Sequence, residues 1–143
     1  MIHSKTFLAL GIMLISSAAY GHVRVQPAES KVGAHQTYTV RVPTEGNVPT
    51  SSVELEVPDA VSVISIAGQA QTKKTGNRIV SIVWTTKILP GESEELVFEA
   101  LNPASVQDIT WKAHQHFADG TSADWVDIPK SSRPASVTKL RSP

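Results

Sequence analysis

The sequence predicts an all-β protein, an antiparallel β-sandwich of immunoglobulin-like or cupredoxin-like outline, and three observations carry that expectation. Apolar and polar residues alternate with period two along most of the chain. The alternating runs are rich in Val, Ile and Thr and are cut at short intervals by Pro, Gly, Asn and Asp. No stretch carries a helical period bounded by helix caps.

Residues 1–21 stand apart from this pattern. They hold one fixed charge, Lys5, then the apolar run Phe7 to Ile15, and they close on Ala19-Tyr20-Gly21, with small side chains at the last and third-last positions. The apolar run is shorter than the roughly 20 residues that a bilayer span needs, so residues 1–21 read as a cleaved secretory signal. Residues 22–129 read as one β-sandwich domain, and the tail 130–143 as a loose segment with no apolar span.

Within the domain the strands follow in order. His22 to Gln26 alternates and stops at Pro27, and Gln36 to Val42 sets Tyr38, Val40 and Val42 against Thr37, Thr39 and Arg41 before Pro43. Ser52 to Val57 opposes Val53, Leu55 and Val57 to Glu54 and Glu56, and Val61 to Ile66 is a β-rich run. Gln69 to Gly76 reads as a polar turn region with a hairpin loop through Lys73-Lys74-Thr75-Gly76. Arg78 to Thr85 is apolar on parts of both faces, as a central strand is. After Pro90-Gly91, Leu96, Phe98 and Ala100 alternate with Glu95, Val97 and Glu99, and Asp108 to Phe117 and Ser122 to Ile128 flank the turn at Asp119-Gly120. The total is about eight strands, a number that suits a sandwich.

Composition narrows the function. The leader holds one of the 13 Lys and Arg and none of the 13 Asp and Glu, so the mature chain has one acidic residue in excess. A near-neutral chain without a basic block is poorly suited to nucleic acid or an anionic membrane surface. Cysteine is absent and both methionines, Met1 and Met13, fall in the leader. The mature chain therefore has no disulfide and no sulfur ligand, which excludes thiolate or thioether Cu(I) sites and blue-copper centres.

Cleavage after Gly21 makes His22 the first residue. Its freed amine and Nδ1 close a six-membered chelate ring around a metal, and the tethered second donor lowers the entropy cost of collecting ligands. Cu(II) heads the divalent series for nitrogen donors and accepts tetragonal geometry. The bland alternative is a polar residue opening an edge strand. Trp125, opposite in facing to Val126 and Ile128 and on the side of Ala123 and Asp127, either covers the end of the sandwich or lays its indole beside a cation.

Other candidates read as surface. His114 and His116 share a face with Thr110 and Lys112, opposite Ile109, Trp111, Ala113, Gln115 and Phe117, and so sit on a solvated face. His35, Glu54 and Glu56 read the same way. Glu29 and Glu45 both lie in turns at strand ends, and spacing alone does not choose between them as a ligand near the amino terminus. No catalytic constellation stands out, which points away from an enzyme.

Three segments taken together are more specific: His22 to Ser30, Tyr38 to Glu45 with Pro49-Thr50, and Gln115 through Asp119-Gly120 to Trp125. In this order, over His22 to about Pro129, they resemble the YcnI-like family of exported copper-binding domains. The resemblance implies a cupredoxin-like sandwich that holds Cu(II) by a single-histidine brace. His22 then supplies amine and imidazole nitrogen, Glu45 the carboxylate in preference to Glu29, and Trp125 lies against the metal, while Trp84 and Trp111 match structural positions. It further implies a periplasmic or secreted protein in copper sequestration or trafficking, partnered by the copper ion and by a membrane copper transporter or another copper-handling protein. The rival expectations are a copper-dependent oxygenase of the histidine-brace type and a metal-free adhesion or assembly module.

Overall fold

The computed structural model describes residues 21–143, and the expected leader lies, Gly21 excepted, outside the described residues. Among the described residues the chain forms twelve strands and no helix. In chain order these are β1 (Arg24–Gln26), β2 (Glu29–Lys31), β3 (His35–Pro43), β4 (Thr50–Glu56), β5 (Ser62–Ile66), β6 (Ala70–Thr75), β7 (Arg78–Ile88), β8 (Ser93–Leu101), β9 (Asp108–Trp111), β10 (Ala113–Phe117), β11 (Ser122–Trp125) and β12 (Ser136–Arg141). They build a four-stranded sheet β1-β3-β8-β5, a five-stranded sheet β11-β10-β4-β7-β6 and a small sheet β2-β12-β9. All the strand pairings are antiparallel except β2 with β12. The expected all-β sandwich is the fold observed.

Alternation decides which face is dry. In the four-stranded sheet Tyr38 and Val40 of β3 stand opposite Phe98 and Leu96 of β8, and Val42 and Ala100 extend the same dry face, all buried. In the five-stranded sheet Val53 and Leu55 of β4 register with Trp84 and Ile82 of β7. The two faces meet in one core, where the Tyr38 ring lies 5.4 Å from Phe98 and 5.0 Å from Trp111. Such aromatic pairs add about 0.5–1.5 kcal/mol each beyond their burial. Burial pushes the Tyr38 hydroxyl up to about 12, although hydrogen bonds with Asn102 and Ser30 pull the other way.

Four expectations need correction. The polar stretch 69–76 is not a turn: Ala70–Thr75 is edge strand β6, and the hairpin turns at Gly76, whose φ of 60° suits a residue without Cβ. Its ladder to β7 holds an almost wholly exposed strand, and Lys73 and Lys74 on its edge discourage further pairing. The run 108–117 is two strands: at the exposed Lys112 the chain leaves the small sheet and enters the five-stranded one. Alternation passes unbroken through the switch, so the pattern conceals it. The strand begun at Ser122 ends at Trp125, leaving Ile128 79% exposed.

The fourth concerns the tail expected to be loose. Its strand β12 pairs with β2 on one side and β9 on the other, and buries Thr138 and Leu140. Thr138 Oγ1 accepts from Trp111 Nε1 at 3.0 Å and donates to Pro27 O at 2.8 Å. Lys139 and Arg141 occupy the wet face of a real strand, and Ser136 shares the other face with Thr138 and Leu140.

Candidate metal centre

Antiparallel pairing of β1 with β3 brings the start of one strand to the end of the other. Val23 and Val25 point into the core and Arg24 away from it, so the chain enters β1 with a fixed facing. Where β3 ends, Pro43-Thr44-Glu45 leave the sheet and Gly46 turns the chain at a φ of 76°. The Gly21 amide donates to Glu45 Oε1. A Cβ built on Gly21 would stand 2.8 Å from Pro43 Cγ, so the residue before His22 has to be small here.

Across the cleft stands Trp125, the last residue of β11 and 8% exposed. Its indole lies 5.5 Å from the His22 imidazole, centroid to centroid, with the rings inclined at 49°. His22, Glu45 and Trp125 line one open cleft of about 1080 Å³ together with Gln115, Asp127 and Arg133. Among the described residues no three His, Asp or Glu side chains converge as a metal-binding group. The side chains at this cleft thus offer the His22 imidazole, the Trp125 indole and the carboxylates of Glu45 and Asp127. A free amine on His22 would add a main-chain nitrogen donor, and a nitrogen and oxygen set without sulfur suits divalent ions such as Cu(II).

The other candidates fall elsewhere. Glu29, on β2, pairs with Arg141 at 2.7 Å, a contact that lowers its acidity range, and it does not line the cleft. His35 and His116 are exposed, as expected of surface residues. His114 differs from the expected solvated residue: it is half-buried, with Nδ1 at 2.7 Å from Asp124 and Nε2 at 2.8 Å from Glu56. Burial alone would lower its pKa, but the hydrogen bonds to Asp124 and Glu56 and their charges prevail and raise it. Glu54, its neighbour across the strands, is held low chiefly by its hydrogen bond with Lys73 at 2.6 Å.

Sequence reasoning did not assign Asp127, Arg133 or Gln115 to the cleft. Asp127 and Arg133 arrive through the segment after β11, which closes on itself by Asp127 N to Arg133 O at 3.1 Å and Ala135 N to Asp127 O at 2.9 Å. No periodicity marks such a loop. Gln115 did carry a signal, an amide set among Trp111, Ala113 and Phe117 on the dry face. It is 2% exposed.

Fold and cleft define a class: an immunoglobulin-like β-sandwich with imidazole, carboxylate and indole gathered where its first strand begins. The family model described as "Domain of unknown function (DUF1775)" matches residues 67–140. The chain is 33% identical over 138 residues to the copper-binding protein CutI of Bacillus subtilis, covering 92% of this chain and 68% of that protein. It therefore belongs to the DUF1775 family, the YcnI-like family. Among solved structures, an uncharacterized protein from Nocardia farcinica with an immunoglobulin-like fold superposes with a TM-score of 0.72 at 22% identity, over 85% of this chain and 99% of that one. A non-cellulosomal cohesin of Archaeoglobus fulgidus gives 0.52 at 14% identity, over 85% and 91%. At these identities the likeness concerns the fold alone.

Proposed function

We propose that the mature protein binds Cu(II) outside the cytoplasm and serves copper sequestration or trafficking, with His22 as a single-histidine brace. The amine and Nδ1 of His22 chelate the ion, the Glu45 carboxylate completes the set and offsets charge, and the Trp125 indole shields the ion from solvent. The observation that carries this reading is the meeting of His22, Glu45 and Trp125 in one cleft. The copper-binding relative lends independent support. The ion is cargo, and the chain's own residues bind, orient and shield it. Because the amine must lose a proton to coordinate, affinity rises with pH towards its ordinary pKa of about 8.

The test is a Cu(II) titration of the mature protein, followed by tryptophan fluorescence and competition, repeated with a Gly left ahead of His22 and with Trp125→Phe. The extension should weaken binding at least as much as losing an outer-shell partner does, about 10–100-fold. Equal affinity in the extended protein sinks the brace, and undiminished quenching in Trp125→Phe sinks the indole contact. Ascorbate-driven peroxide consumption by the copper form would favour an oxygenase instead.

A further inference from the structure

We infer that Gln115 is the positioning residue of the copper cleft, its side-chain amide locking the Trp125 indole and the chain leading to Glu45 into one unit. The inference rests on the copper reading above.

Gln115 projects from β10 into the sandwich, and both N–H groups and the carbonyl oxygen of its amide are engaged. Its Nε2 donates to Pro43 O at 2.9 Å and to Thr50 Oγ1 at 2.7 Å. Its Oε1 accepts from Trp125 Nε1 at 3.2 Å. A carbonyl only accepts and an indole N–H only donates, so the amide fits one way round and not the other. Thr50 Oγ1 and Thr44 Oγ1 lie 2.6 Å apart, which carries the relay to the residue before Glu45. Thr44, Thr50 and Gln115 are all buried.

Burying three polar side chains in a sandwich core is unfavourable unless each is satisfied, and an apolar residue of similar volume would pack β10 without that requirement. What an apolar residue does not do is fix the in-plane rotation of the indole relative to His22. It also leaves the Pro43 carbonyl unheld, two residues before the carboxylate. A copper site needs its donors and shield held within fractions of an ångström, and partners behind the ligands supply that constraint. The rival view is that the amide merely ties β10 to the end of β3 for stability. The two views differ in what happens at the metal.

The experiment compares the mature wild-type protein with Gln115→Leu, Gln115→Glu and, as a control away from the cleft, Thr138→Val. Three quantities are read: Cu(II) affinity by competition, the Cu(II) electron paramagnetic resonance spectrum at saturation, and hydrogen exchange of the Trp125 indole N–H in the metal-free protein by NMR. Gln115→Leu should weaken Cu(II) binding about 10–100-fold, alter the resonance spectrum and speed exchange of the indole proton. Gln115→Glu keeps the shape and the acceptor for the indole but loses both N–H donors, to Pro43 O and Thr50 Oγ1, so it should weaken binding while leaving indole exchange slow; it also carries the test if the Leu variant does not fold. Thr138→Val should lower stability and leave affinity and spectrum unchanged. Wild-type affinity and spectrum in both Gln115 variants overturn the inference, whatever their stability. Should the Gly-extended wild type bind Cu(II) equally well, the copper reading and the inference fall together. His22-dependent binding that ignores Gln115 overturns the inference alone.

Discussion

Ending the chain at Pro134, ahead of β12, is expected to remove most of the stability of the domain. Two side chains set the magnitude. Leu140 is 3% exposed, and truncating a buried Leu to Ala costs about 2–5 kcal/mol depending on how far the cavity collapses. Thr138 Oγ1 serves the buried Trp111 indole and Pro27 O, so Thr138→Val strands an N–H and a carbonyl, at about 1–3 kcal/mol. Together these approach the 5–15 kcal/mol that is typical of a whole domain, about what losing the strand should remove. Urea unfolding followed by tryptophan fluorescence reads each variant, and an unchanged slope against denaturant shows that only stability has moved. A chain ending at Pro134 that unfolds within about 0.5 kcal/mol of the full protein, the range of an innocuous surface change, would refute the reasoning and restore the loose tail.

At the cleft, Glu45→Gln should weaken Cu(II) binding with little change in the denaturant midpoint, whereas Glu29→Gln, on the exposed Arg141 pair, should leave binding as it was; a competition titration compares them. His114 is held between Asp124 and Glu56, with Glu54 and Lys73 nearby, and its folded pKa is raised, so its stabilising contribution is full below the unfolded value of about 6.5 and is lost as the pH rises through the folded one. The midpoint gap between wild type and His114→Gln should therefore be wider at pH 5.5 than at pH 8.5, and a constant gap would contradict the two contacts. Tyr38 is the sole tyrosine outside the expected leader, so the phenolate absorbance of the mature protein should stay low until about pH 12. Between the unfolded value of about 10 and that point stability should fall, because the unfolded chain releases a proton that the folded one keeps.

Much of this fold was legible because alternation is a local property. Tyr38, Val40 and Val42, or Leu96, Phe98 and Ala100, announce a buried face without reference to anything distant. What stayed hidden depends on partners. β6 has no apolar face and exists because β7 offers it a ladder, and β12 is a strand because β2 and β9 flank it. The sheet switch at Lys112 changes neighbours without changing period. For the cleft, the sequence directed attention to His22 through a cleavage pattern, and to Glu45 and Trp125 only through resemblance, since loops and an edge strand bring them together across more than one hundred positions. Gln115 was readable as an amide out of place, but its partners at Pro43, Thr50 and Trp125 were not, because contacts between strands leave no trace in spacing.

Ser136 completes the edge of the first strand: its hydroxyl accepts from Val25 N at 2.9 Å and donates to Val25 O at 3.2 Å. A ribosome delivers Val25 among the first residues of the domain and Ser136 among the last. The strand that begins beside His22 therefore waits for almost the whole chain before its outer edge is satisfied, and contacts of such long sequence separation form slowly. A shortened or stalled chain can carry His22, Glu45 and Trp125 in full and still lack a settled cleft, so the site proposed for copper takes shape late, with β12.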